Sequence, residues 1–170
     1  MPLFLALPVA PLIICNDGAS LSGSVSATLT ANRVYLYAFE LQVSVTVLKA
    51  RYRTGATTTG ACNMAIYTFA GNLVAGTDTG AQTNVASTTT DFTYTAFNLG
   101  PGQFYLALAC NNGTDTILAT NLAGSLSAPS HERYAANALA AGAMPSTLGA
   151  ITNNPDRCPG VALLLSGGLT

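Results

Sequence analysis

Residues 33–53 read RVYLYAFELQVSVTVLKARYR, and the spacing of their apolar side chains decides the fold. Tyr35, Tyr37, Phe39 and Leu41 fall on alternate positions. Alternation by two is the period of a β-strand, whose successive side chains point to opposite faces. Val43, Val45 and Val47 alternate in the same way, and then Leu48, Ala50 and Tyr52 continue in the opposite phase. A phase change inside one strand predicts a bulge near Val47–Leu48 or a strand buried on both sides.

Working outward, the same signal repeats. Residues 62–69, CNMAIYTF, place Cys62, Met64 and Ile66 on one face. Ala70-Gly71-Asn72 then predicts a turn into Leu73-Val74-Ala75, a hairpin signature. Phe92–Leu99 is a further strand. Gly100-Pro101-Gly102 predicts a sharp reversal into residues 103–110, QFYLALAC, where Phe104, Leu106, Leu108 and Cys110 share a face. Shorter strands are expected at Ser24–Thr30, after the Asn16-Asp17-Gly18 turn, and at Thr116–Thr120, and the chain closes with GVALLLS at 160–166. The best helical signal is HERYAANALAA, His131–Ala141, with Ser130 placed to cap it. Strands in a row without intervening helices exclude a parallel α/β sheet. The expected fold is all-β, a jelly-roll-like antiparallel β-sandwich of about eight strands. Residues 1–23 are an extended arm and 24–170 the domain, within which 121–159 is rich in loops.

The chain has 170 residues, enough for one domain with a core of its own. Its composition is unusual. Only 8% of residues are charged, against roughly 25% in average soluble proteins, and the net charge is -1. Charge normally keeps surfaces solvated and apart. A surface of Thr, Ser, Asn, Gly and Ala is better suited to an assembly whose neighbours cover it. Lys49, Arg51 and Arg53 alternate along one strand face, too few to neutralise a phosphate backbone, so no nucleic-acid partner is expected.

The opening MPLFLALPVAPLIIC lacks the basic start of a signal peptide and is read as an extended arm, with a signal peptide as the alternative. Pro2, Pro8 and Pro11 break any helix, and the run is too short to span a bilayer, so no membrane insertion is expected. Leu3, Phe4, Leu5, Leu12 and Ile13 are its candidate assembly residues, buried on a partner or on the domain itself.

Reactive chemistry finds little footing. The single histidine, His131, adjoins Glu132 and Arg133, but no nucleophile-elbow motif accompanies it. Glu40, Glu132 and five Asp are scattered rather than paired as a glycosidase requires. Cys15, Cys62, Cys110 and Cys158 form no C-x-x-C pair, so no zinc site, no other metal and no cofactor is expected. Asp17, Asp78 and Asp115 lie in Gly-rich loops without calcium-loop spacing and are read as turn residues. Asn112-Gly113-Thr114 fits a glycosylation sequon, although turn geometry explains it better.

Four segments carry a family resemblance. NRVYLYAFELQVSVTVLKARYRT is followed by CNMAIYTFAGNLVAGTDTG, by LGPGQFYLALAC and finally by AMPSTLGAITNNPDRCPGVALLLSG. Their order resembles the jelly-roll modules of tailed-phage tail-fibre, head-fibre and capsid-decoration proteins, over roughly Asn32–Gly167. The resemblance implies a non-enzymatic virion structural protein, assembled in the bacterial host cytoplasm and often trimeric. Its partners would be capsid or tail proteins of the same particle. The short N-terminal part, with no coiled coil or collagen-like repeat, points to a decoration protein, a short spike or one subunit of a larger tip. The alternative is a module that binds host-surface glycan, with Tyr52, Tyr67, Tyr94, Tyr105 and Tyr134 as candidate platforms, although Trp is absent. Cys62 begins one strand and Cys110 ends another. As antiparallel neighbours they would lie at one end of the core, as a disulfide or as free buried thiols. Assembly in a reducing cytosol favours the thiols.

Overall fold

Period-two alternation becomes strands along most of the stretches that carry it. The computed structural model describes residues 12–15, 24–31, 33–121, 132–135, 144–153, 157–159 and 161–166. Among them are thirteen strands and no helix. In chain order these are β1 (Leu12–Cys15), β2 (Ser24–Thr28), β3 (Val34–Leu41), β4 (Val45–Arg53), β5 (Ala61–Thr68), β6 (Gln82–Thr83) and β7 (Thr89–Leu99). There follow β8 (Gly102–Cys110), β9 (Thr116–Asn121), β10 (Glu132–Ala135), β11 (Ile151–Asn153), β12 (Arg157–Pro159) and β13 (Val161–Ser166). Eight of the thirteen are five residues or longer.

All strand pairs are antiparallel. One sheet runs β1-β13-β4-β7 and a second β11-β10-β3-β8-β5-β6; a small third sheet is β12-β9-β2. Successive long strands change sheets: β3, β5 and β8 belong to the larger one, β4, β7 and β13 to the smaller. The result is an antiparallel β-sandwich.

The main core lies between the two large sheets. Tyr35, Phe39, Leu41, Met64, Ile66, Phe104, Leu106 and Leu108 meet Val45, Val47, Ala50, Tyr52, Phe92, Val161, Leu163 and Leu165. Burial of this kind is the dominant favourable term in folding, about 25 cal/mol per Å² of apolar surface removed from water. The six-stranded sheet is apolar on its other face too. Val34, Leu36, Ala65, Tyr67, Tyr105, Ala107 and Ala109 form a second core that Met144 and Leu148 cover. The covering segment is laced to the β5 turn. Leu73 N–H donates to Ser146 O at 3.0 Å, Leu148 N–H to Gly71 O at 2.8 Å, and the Tyr67 hydroxyl to Pro145 O at 2.7 Å. Gly71 has φ of +85°, a backbone state that costs most other residues energy.

Three local expectations need comment. The pairing of β4 shifts register between Val47 and Lys49, against both β7 and β13. That skipped residue, Leu48, is where the apolar phase changes. Val43 is not in the strand: it sits in the bend before β4, 49% exposed. The helix expected around His131–Ala141 is overturned at its start, because residues 132–135 are β10, paired with β3 and β11. Helix propensity over so short an Ala-rich stretch is worth little against a ladder offered by the edge of β3. His131 and residues 136–141 lie outside the described residues.

Candidate functional site

At one end of the sandwich the loops 54–60, 82–88 and 111–116 meet over a single buried carboxylate. Asp115 precedes β9 and is fully buried. One carboxylate oxygen accepts from the Thr59 N–H at 2.5 Å and the Gly60 N–H at 3.1 Å, and the Asn84 amide donates to the other. The Asn84 carbonyl oxygen in turn accepts from the Tyr52 hydroxyl at 2.5 Å. Asn112 closes the turn, its side-chain oxygen accepting from the N–H groups of Thr114 and Asp115 at 3.2 and 3.0 Å. Gly60 permits the approach, since a Cβ there would collide with the side chains of Asn111 and Asn112.

The electrostatics follow from these bonds. Burial pushes the Asp115 carboxyl up, but the donors from Thr59, Asn84, Asn112 and Gly60 outweigh it and hold the group below the usual carboxylate range. Burial pushes the Tyr52 hydroxyl up. The cluster is a buried, ionised carboxylate surrounded by donors, of which Asn84 is buried and Thr59 and Gly60 lie partly in solvent. Its geometry ties three loops together. The expectation that Asp115 is a simple turn residue misses this, because nothing in its local sequence signals burial. Asp78 is a turn residue in the ordinary sense, accepting from the Gly80 N–H at 2.9 Å. The Asn112 amide nitrogen donates to the Thr59 hydroxyl at 3.0 Å, so the sequon asparagine is engaged in the loop.

Cys62 and Cys110 sit beside this cluster. They are directly opposite one another in the β5–β8 ladder, on the main-core face, and the structure joins them as a disulfide. This corrects the preference for free thiols. That preference rested on an assumed reducing compartment, whereas the register brings the two sulfurs together whatever the compartment. Asn84 also donates to the Cys62 sulfur at 3.2 Å. Cys15 and Cys158 lie in different sheets, in β1 and β12.

The second feature is an open groove of about 410 Å³ along β7, facing the loop before β6. Asp78, Thr79, Gln82, Asp91, Phe92 and Tyr94 are among its lining residues. Most of its polar side chains are engaged internally. The Tyr94 hydroxyl donates to Thr77 O at 3.1 Å, the Thr79 hydroxyl to the Asn63 side chain at 2.8 Å, and the Gln82 amide to Thr79 O at 3.1 Å. Asp91 takes two bonds from Arg51, at 2.6 and 2.9 Å, with Lys49 at 3.6 Å. Hydrogen bonding from Arg51 holds the Asp91 carboxyl below its ordinary value. Two of the three cations in the alternating row therefore converge on one acid. Arg53 stands apart, with its Nε buried and without a hydrogen-bond partner.

Of the tyrosines considered as glycan platforms, Tyr52, Tyr67 and Tyr105 are core residues. Tyr94 lines the groove, and Tyr134 lies in β10. Of the assembly-arm residues, Leu12 and Ile13 belong to β1, whose backbone pairs with Leu165 and Leu164 of β13. Leu3, Phe4 and Leu5 lie outside the described residues, as do Asp17 and Ser130. Among the described residues no three His, Cys, Asp or Glu side chains converge as metal ligands, and no helix is long and apolar enough to cross a membrane. No protein-family profile matches the chain, and no curated protein matches it in sequence.

Proposed function

We propose that the chain is a non-enzymatic structural protein of a tailed-phage virion, a jelly-roll decoration or spike subunit that attaches to capsid or tail through its arm. The observation that carries this reading is the closure of the polar chemistry on itself. The buried carboxylate of Asp115 has its acceptor positions filled by loop donors, and the Asp91 carboxylate is held by Arg51. What faces outward is a nearly uncharged β-sandwich rich in hydroxyl groups, a surface fit for association. β1 is consistent with the arm's role, because it anchors residues 12–15 at the edge of the sheet, directly after the apolar sequence that holds Leu3, Phe4 and Leu5. Burying them would add stabilisation in proportion to apolar area, less the ordering cost of the segment.

The test is co-sedimentation with purified tailed particles, comparing the full chain with a version lacking residues 1–11. The full chain should travel with the particles, and the truncated domain should stay folded and remain behind. Equal binding by both would contradict the role of the arm, and absence of the full chain from every particle fraction would contradict the virion reading.

A second reading, recognition of a host-surface glycan, is favoured by the groove beside Tyr94. Asp78 is engaged by the Gly80 N–H, so that among the described residues Thr93 and Thr95 are the groove's remaining polar side chains, a sparse set for a sugar. Binding on a glycan array that is lost in Tyr94→Ala would support it over the first.

A further inference from the structure

The edges of the sheets are unequal. β6, β11 and β12 have two or three residues, β1 four and β2 five, whereas β7 has eleven and, among the described residues, pairs on one side only, with β4. At about 3.3 Å per residue β7 spans roughly 36 Å, of which the regular run Thr89–Thr93 before its register break covers roughly 16 Å. Long open edges invite pairing with another chain, and proteins normally blunt them with short strands, lysines or prolines. The short strands follow that rule. β7, TTDFTYTAFNL, contains neither lysine nor proline.

We propose that the free edge of β7 pairs with the β7 edge of a second copy, related by a two-fold axis, so that two sheets join into one. Three observations select a second copy as the occupant. The edge has no charge that would choose an ionic partner or repel its own kind, because Asp91 is its only charged residue and is compensated by Arg51 and Lys49. Its exposed positions include Thr89, Thr93 and Thr95, and hydroxyls both donate and accept, so a threonine row is complementary to itself. A two-fold axis also makes an edge antiparallel to its own copy, and each edge then satisfies the other with the same residues. The register break opposite Leu48 falls between Thr93 and Phe97, which leaves Thr89–Thr93 as the longest regular run for pairing. Each Asp91 brings its own Arg51 to that run. The contact holds whether or not the chain is a virion protein, and it is distinct from the arm.

The experiment is the solution mass of the full chain by light scattering, for the native sequence, for Thr93→Lys with Thr95→Lys, and for Val85→Lys. Val85 is exposed and lies in a loop outside β7, so its lysine controls for added charge alone. The native chain should have an even copy number, two or, where a three-fold contact also operates, six. The β7 double variant should halve that mass while keeping its strand circular dichroism, and Val85→Lys should leave it unchanged. An odd copy number, a single-chain mass for the native protein, or an oligomer that survives both β7 lysines would overturn the proposal. Removing residues 1–11 should leave the two-fold contact intact, which separates failure of this edge from failure of the arm.

Discussion

Replacing Asp115 with alanine should cost about 3 kcal/mol, and the reason lies in which of its partners are themselves buried. The carboxylate holds the Thr59 and Gly60 N–H groups and the Asn84 amide. Asn84 is buried, whereas the bonds to Thr59 and Gly60 lie only partly out of solvent. A buried donor left unpaired costs about 1–3 kcal/mol, and a donor that water can reach costs less. The asparagine variant keeps the shape but turns an amide hydrogen toward existing donors, and should cost about 1–3 kcal/mol. The pH dependence gives an independent check. The folded carboxyl titrates below its unfolded value of about 3.9, so its contribution is complete above that pH and is lost as pH falls through the depressed folded value. Urea unfolding of native chain and Asp115→Asn, from neutral pH downward, should show two stabilities that converge in acid. Asp91 is also held below its ordinary value, by Arg51, but it is common to both proteins and cancels in the difference. A loss below about 1 kcal/mol in the alanine variant, or a gap that stays constant with pH, would refute the assignment of Asp115 as the tie between the loops.

Other outcomes follow from the same packing. Cys62→Ala with Cys110→Ala removes a cross-link between residues 48 apart, and the loop-entropy relation puts the loss at about 4 kcal/mol. Calorimetry with and without reductant should show that difference, and equal transition temperatures for variant and native protein would contradict it. Leu148→Ala should cost about 2 kcal/mol by uncovering the second core. Amide exchange at Leu73 and Leu148, which bond across the same contact, should then accelerate together. Exchange at one site alone would mean that the covering segment does not act as a unit.

Much of this architecture is legible in residues 33–53 and 103–110. Alternation assigns Tyr35, Phe39, Leu106 and Leu108 to one face, and the main core uses that face. The opposite face is harder to read. Ala65, Ala107 and Ala109 look like solvent-side spacers, yet they are fully buried, because small residues admit the covering segment at 144–148 close to the sheet. The position of Cys62 and Cys110 at matching strand ends is visible from period and order. Their bond is decided by register, which sequence order does not supply. β10 is invisible for a different reason: its pairing is set by the open edge of β3, a tertiary fact that overrides a weak local preference. Asp115 looks like any acidic turn residue, since its partners Thr59 and Asn84 are distant in sequence.

The most direct test of the account, that this sandwich is built to associate, is the light-scattering mass of the purified full chain across a concentration series. The account predicts an assembly of several copies at micromolar concentration, reduced by lysines on β7. A single-chain mass at every concentration up to the solubility limit would contradict it.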